Sequence, residues 1–466
     1  MSNESICHNM RFIARVTIEF TTAFIIGGGK SLFFDDAFVA DANGLPTIPG
    51  STLAGILRHA WRDAGYGADD ALFGSQEHGS PLEISWGCIH DSQNRPVEGI
   101  DDIQNDAVLR EAIVMASRDH VRIDDKGTAA KGGKFDERSV SSGHRFTFEL
   151  HLTGDIGGGT LWRKLIDLIV SGTLRIGGKT RRGYGAFECV SLMKEIFHLG
   201  IPEDFEKYLN HPVSLKVQCR LPEMIDKATE KATLPPVNTI TATADLIPEG
   251  FWMFGGGAGD VADMNPMLAN RIIWEDGKGT VKEQLTLIPG SSVKGALAHR
   301  TAYYCNVMKK RFSSKTYEPG KEPKTGSDNE AVRELFGYSK DKKANQTGQR
   351  GRVIISDILL AGDAVKVFIN HVSLDRFTGG ARAGFLFSEN PFFRGSGFTL
   401  KVVINERNNI SPDNLAAFKC ALDDLAHGLL PLGNGVNRGN GFFRVPDGGE
   451  VDWSDKQQEP KEATNA

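Results

Sequence analysis

The phrase IPGSTLAG beginning at Ile48 returns 240 residues later as IPGSSVKG beginning at Ile288. It is one of six landmarks that recur in the same order. A glycine triplet precedes each copy, at Gly27–Gly29 and Gly255–Gly257, and Leu-Phe-Gly follows, at Leu72 and Leu335. The strand-like stretches PLEISWGCIHD and GRVIISDILL come next, then long segments that start at His120 and His371. Each half closes on a glycine-rich loop, LRIGGKTRRGYGAF from Leu174 and LPLGNGVNRGNGFF from Leu430. Chance supplies one or two ordered matches, not six, so the chain is a tandem duplication. The units run over 1–195 and 237–446. Residues 196–236, charged and interrupted at Pro235 and Pro236, read as a linker with at most one added strand, Val213–Cys219. The polar residues 447–466 read as a disordered tail.

Within a unit, period-2 alternation places Phe12, Ala14, Val16, Ile18 and Phe20 on one face of a strand. Ser51 suits an N-cap, and Leu53, Ile56, Leu57, Ala60 and Trp61 behind it keep helical spacing. Val293, Ala296, Leu297 and Tyr304 repeat that stripe, and Ser411 with Pro412 opens a second helix. Strand, helix, two strands, helix, strand is an α+β, ferredoxin-like (RNA-recognition-motif-like) unit. The segments after His120 and His371 then protrude between its second and third strands.

A chain of 466 residues with 40% hydrophobic and 24% charged residues fits two globular units. No apolar run resembles a signal peptide or a membrane span. Cys7, Cys88, Cys189, Cys219, Cys305 and Cys420 lie far apart with no CxxC, which argues against a disulfide framework or a cysteine zinc site and fits a reducing cytoplasm. At a net charge of −5, any affinity for nucleic acid must come from local clusters. The string GGGKS at Gly27 is no phosphate loop, because Phe24 stands where that motif needs glycine. The closing loops are better candidates. Lys179, Arg181 and Arg182 lie among glycines that include Gly183, and Arg438 lies beside Asn437. Such loops bring backbone N–H groups and cations to phosphates. RGYGAF partly echoes an RNP1 word. Arg122, Lys126, Lys131 and Lys134, and Arg376, Arg382 and Arg394 among five phenylalanines, suit single-stranded RNA. His59 and His299 share one helical position and are lesser candidates for acid–base work. Asp35, Asp36 and Asp41 precede the first Pro-Gly-Ser word; Asp260, Asp263, Glu275 and Asp276 precede the second. A carboxylate beside a phosphodiester can hold a divalent metal or take a proton from a 2′-hydroxyl.

These words together resemble the RAMP superfamily, and within it the fused double backbone subunits of type III CRISPR–Cas effector complexes. The resemblance covers nearly everything but the linker and tail. It implies a filament on CRISPR RNA, thumbs at His120–Gly143 and His371–Gly395, and other type III effector subunits as partners. It also implies cleavage of complementary target RNA with Mg2+ or Mn2+, by an aspartate that stands six residues before a second one. Asp35 holds that spacing to Asp41, and Asp36 is adjacent. The second loop is twelve residues longer and breaks the pattern, leaving Asp263, three residues before Pro266, and more weakly Asp260. Asp35 and Asp263 are then the metal ligands. The RNA contacts become Gly28, Gly29, Ser51, Arg58, His59, Arg122, Lys126, Lys131, Lys179, Arg181, Arg182 and Gly183 in the first unit. Ser291, Ser292, Lys294, His299, Arg376, Arg382, Asn437 and Arg438 serve the second. Ala54 departs from the family lysine that Lys294 retains. The alternatives are a catalytically inert RNA-binding scaffold and a CRISPR precursor-processing endoribonuclease that needs no metal.

Overall fold

The computed structural model describes residues 8–29, 37–100, 103–124, 126–155, 157–223, 238–257, 259, 261–312, 322–339, 347–362 and 364–454. In the first unit the strand Met10–Phe20 lies between Arg145–Gly154 and Phe187–His198, and Leu82–Ile84 pairs with the outer edge of Arg145–Gly154. In the second unit Thr239–Pro248 lies between Phe398–Asn405 and Phe443–Arg444, with Val353–Ile355 outermost. Both sheets are antiparallel and share one strand order, so the tandem ferredoxin-like reading holds. Helices Gly50–Asp63 and Gly158–Val170 cover one face of the first sheet, and Gly290–Met308 and Pro412–Ala426 cover the second. No helix among the described residues is long and apolar enough to cross a membrane.

The repeated Pro-Gly-Ser word seats each first helix on its sheet. A side chain at Gly50 would overlap the carbonyl oxygen of Ile84, and one at Gly290 the carbonyl of Ile355. Only glycine lets the helix start approach the strand that closely. Ser51 is therefore not the N-cap. The helix begins at Gly50 after Pro49, with no side-chain cap bond, and Ser411 caps through no side chain either.

Period 2 predicts one buried face for the first strand, but both are buried. Phe12 to Phe20 pack under the helices, while Ile13, Arg15, Thr17 and Glu19 on the opposite face are also at most 9% exposed. Two segments cover that second face. One is the linker, which contains a helix at Pro202–Leu209 and then packs back on the sheet. Arg15 donates to the carbonyls of Val217 (2.8 Å) and Pro212 (3.1 Å), and Ile13, Phe197, Cys219 and Leu221 form a small core. Val213–Cys219 is accordingly a turned segment and not a strand, since Arg15 takes up its carbonyls. The other cover is the hairpin Leu268–Glu275 and Lys278–Ile288, which contains the twelve-residue excess of the second unit. The Trp274 indole donates to Gly143 O (2.7 Å) and lies 4.4 Å from the Arg145 guanidinium, which also bonds Glu19 (3.0 Å). At the C-terminus, Val451 and Trp453 are buried and Asp452–Trp453 pairs with Thr239–Pro248, so order extends past Asp447.

The units meet again where the first closing loop abuts the second Pro-Gly-Ser helix. Arg118 and Asp357, with side chains 7% and 3% exposed, form an ion pair, and Asp357 Oδ1 accepts the Gly290 N–H (2.9 Å). Arg175 bonds the Ser356 hydroxyl at 2.5 Å. The Lys294 amine donates to Arg181 O and Val353 O, both at 3.1 Å. Burial, with Arg181 and Arg182 nearby, pushes that amine down to about 8, and burial pushes Arg175 and Arg181 down to about 10.

Asp357→Ala strands the Arg118 cation and the Gly290 N–H, and should cost ~3–5 kcal/mol in denaturant unfolding; a change below ~1 kcal/mol would show that the pair is solvated. Acid stability gives a second prediction. In the first unit burial lowers His90 to about 4 and His144 to about 3, and neither ring nitrogen of His144 has a partner among the described residues. Both folded values lie below the unfolded value of ~6.5. The unfolded chain therefore gains protons first, and stability falls as pH drops from ~6.5 toward those values. His144→Phe should flatten that acid arm, measured by thermal unfolding across pH, and an unaltered arm would contradict the assignment.

Candidate nucleic-acid interface

Each unit projects one hairpin thumb. The first pairs Ala116–Ile123 with Ala129–Ser139, and its tip is tied by Asp124 Oδ1, which accepts the N–H groups of Lys126 (3.0 Å) and Thr128 (2.9 Å). The second pairs Ile369–Leu374 with Ala381–Glu389, and Asp375 Oδ1 ties its tip by accepting Phe377 N–H (3.0 Å) and Thr378 N–H (2.8 Å). Arg122, Lys126, Lys131, Arg376 and Arg382 are all exposed on these arms. Apolar groups are exposed beside them, Val121 and Ile123 on the first and Leu374, Phe377 and Leu386 on the second, with Phe377 at 95%. Arg382 stacks over Phe385 at 4.3 Å. Two-stranded arms that expose cations and apolar side chains together are the informative kind of exposure.

The closing loops repeat one geometry. Thr180–Arg182 and Val436–Arg438 each form a single 3-10 turn, entered by Lys179 or Gly435 in the left-handed region. Gly178 N–H donates to Ile25 O and Asn434 N–H to Met253 O, both at 2.7 Å, which lays each loop over the approach to its glycine triplet. The triplet strands Gly27–Gly29 and Gly255–Gly257 pair with Ala37–Phe38 and Asn265–Pro266.

A buried carboxylate fastens each loop to its thumb root. Glu137, 1% exposed at its side chain, pairs with Arg182 and with Lys179 (3.2 Å), and the His120 ring lies 3.5 Å from it. Glu389, 2% exposed, pairs with Arg438 (2.6 Å) and His371 (2.8 Å). His120 stacks on Phe135 (centroids 5.1 Å) and His371 on Phe387 (4.8 Å), while Arg182 and Arg438 lie 5.0 and 5.5 Å from the same two rings. Loop arginine, thumb histidine, phenylalanine and glutamate thus recur as one cluster. Sequence reasoning missed these partners, although the words FDE at Phe135 and FSE at Phe387 carry them at nearly equal distances from His120 and His371.

The remaining candidates scatter. Arg58 is tied to Asp69 and Asp70. His59, exposed, approaches Asp63 (3.5 Å) and Arg350 (3.3 Å). Ser51, Ser292 and His299 are exposed and Ser291 half-buried. Asn437 is exposed on its loop, whereas Lys294, Arg181 and Gly183 lie in the contact between units. Tyr184 is fully buried beneath Arg118, so the RNP1-like word provides no stacking surface. Gly28 and Gly29 lie on the short triplet strand that pairs with Ala37–Phe38. Asp35, Asp36 and Asp260 lie outside the described residues. Asp41 is a turn former that accepts the N–H groups of Asn43 (2.8 Å) and Leu45 (2.9 Å). Asp263 is exposed at the second thumb root, where its Oδ2 accepts the Ser388 N–H (2.7 Å) and hydroxyl (2.8 Å). Those bonds, the backbone one first, hold its carboxyl below the usual range.

Removing the Glu137 carboxylate leaves two loop cations without their anchor. Glu137→Ala should lower stability by ~2 kcal/mol, the charges being half-exposed. It should also speed hydrogen exchange across 177–185, and unchanged exchange there would show that the carboxylate does not hold the loop.

The sequence profile of the RAMP superfamily matches residues 17–188 and 251–444. No curated protein matches the chain. Similar solved structures include a chain of "Cryo-EM structure of the Type III-B Cmr-beta bound to cognate target RNA", 16% identical over 40% of this chain and 60% of that one, with a TM-score of 0.30. Another is in "Type III-B Cmr-beta Cryo-EM structure of the Apo state", 18% identical over 38% of this chain and 96% of that one, with a TM-score of 0.29. At such scores neither carries an argument. The profile does, because its two segments fall on the two cores and together span most of the sequence: the chain belongs to the RAMP superfamily.

Proposed function

We propose that this chain is a double backbone subunit of a type III CRISPR RNA-guided effector complex, and that it grips CRISPR RNA and cleaves complementary target RNA. The observation that carries the reading is the repeated cluster that fixes a basic glycine loop to the root of an exposed, cationic and apolar thumb. A charged loop set rigidly beside a projecting arm suits a guide backbone on one side and the paired strand on the other. The grip falls to Lys179, Arg182, Asn437 and Arg438 on the loops and to Arg122, Lys126, Lys131, Arg376 and Arg382 on the arms. Lys294 and Arg181 act instead in holding the units together.

Cleavage is assigned to Asp35 or Asp36 in the first unit and to Asp263, with Asp260 second, in the other. Mg2+ is commonly held by one or two carboxylates completed by substrate phosphates and water. The exposed Asp263, fixed by Ser388 at the thumb root, fits that role with Mg2+ or Mn2+. A bound ion would supply charge stabilisation at the phosphodiester. The inert-scaffold reading draws on the same residue, since one Asp263 oxygen already accepts two hydrogen bonds.

The assembled complex, given a labelled guide-complementary RNA and Mg2+ or Mn2+, separates these readings. Asp35→Ala or Asp36→Ala should abolish one cut and Asp263→Ala a different one; cuts that survive all three substitutions make the chain a scaffold. Binding has its own test in salt. Arg122→Ala, Lys126→Ala and Lys131→Ala combined should flatten the slope of log K against log salt by ~2, at ~0.7 for each phosphate of a single strand that is no longer neutralised. An unchanged slope would remove the first arm from the interface.

A further inference from the structure

Away from thumbs and loops, on the sheet face covered by the linker, three metal-ligating side chains converge. Glu149 and His151 stand two apart on the strand Arg145–Gly154, so they share a face. His211 reaches the same point from the linker. His151 Nε2 lies 2.6 Å and His211 Nε2 2.8 Å from Glu149 Oε1, and the three atoms lie within 4.8 Å of one another. The Glu149 and His211 side chains are 5% and 7% exposed, while His151, at 37%, opens the cluster to solvent. The rings are not stacked, with centroids 6.2 Å apart and planes at 63°.

Two imidazoles here compete for one carboxylate oxygen. Arg15 takes the other oxygen, Oε2, with its Nε 2.8 Å away, and spends further N–H bonds on linker carbonyls. The Arg15 charge is thereby matched by Glu149, and an incoming cation meets a locally neutral cluster. Two neutral imidazoles and a carboxylate are a zinc-type ligand set, whereas Mg2+ and Ca2+ prefer all-oxygen sites.

The geometry points to a transition-metal site, formed by Glu149, His151 and His211, that clasps the inter-unit linker to the first sheet and takes zinc or a similar dication. On binding, each neutral ring shifts its proton from Nε2 to Nδ1, with no net proton released, so that both Nε2 atoms and Oε1 become ligands, and a water enters from the His151 side as the fourth. Tetrahedral zinc needs ligand atoms ~3.3 Å apart, so each imidazole nitrogen backs away from Glu149 Oε1 by about half an ångström. Because one ligand belongs to the linker, the metal fixes residues 210–223 against the sheet independently of RNA.

The test uses the full chain, stripped with chelator and titrated with zinc by calorimetry, then with cobalt(II) for its visible spectrum. One zinc per chain, a tetrahedral cobalt spectrum and slower tryptic cutting at Lys216 and Arg220 with zinc are expected. His151→Gln and His211→Gln keep a side-chain donor for Glu149 and should each weaken zinc binding at least ~10-fold. Failure of the wild type to retain zinc, an octahedral cobalt spectrum, or equally tight zinc in folded variants would each overturn the site. Should the variants misfold, the wild-type titration and cobalt spectrum still decide it.

Discussion

The ion pair between Arg118 and Asp357 is the contact on which the two-unit arrangement turns. Both side chains are almost wholly buried, so neither tolerates the removal of its partner. Asp357 also accepts the first N–H of the second Pro-Gly-Ser helix, so the same carboxylate ends one unit's contact and begins the other's helix. Around it Arg175, Lys294 and Tyr184 fill the contact. On the far side, the Trp274 hairpin and the linker close over the remaining sheet face of the first unit. Both faces of that sheet are thereby buried, while the thumb arms remain exposed.

The units remain alike where a loop must be held and differ where they meet. Glu137 and Glu389, with their histidine, phenylalanine and arginine partners, are reproduced with little change. At the edge beside the helix start the halves diverge. Asp357 of the second unit stands where the first has Trp86, which is 55% exposed, and Lys294 where the first has Ala54. The second unit's edge is covered by the first unit's loop, and its side chains are chosen for that cover.

The sequence made the duplication, the ferredoxin-like order, the thumbs and the existence of the Pro-Gly-Ser helix legible, because each depends on short-range periodicity or on a word repeated intact. The seat of that helix, set by Gly50 and Gly290 against strand carbonyls rather than by a Ser51 cap, did not show. What it concealed depends on distant pairs. Arg118 and Asp357 are 239 residues apart, and Arg15 and Glu149 are 134 apart. Neither pair leaves a local pattern. Polar residues at Arg15, Thr17 and Glu19 read as a solvent face by alternation, yet linker and hairpin cover them. Lys294 reads as an RNA contact by its family position, while its amine donates to Arg181 O of the neighbouring unit and to Val353 O of its own, a pairing that no local pattern announces. The paired Phe-x-Glu words are present in both halves, and a residue-by-residue comparison of the halves exposes them.

The central claim is that one chain holds two equivalent RNA grips in fixed relation. The most direct measurement is ribonuclease footprinting of a guide RNA on the full-length chain. The account predicts two adjacent protected intervals of equal length, one for each unit. A single interval, or protection of no defined length, would contradict it.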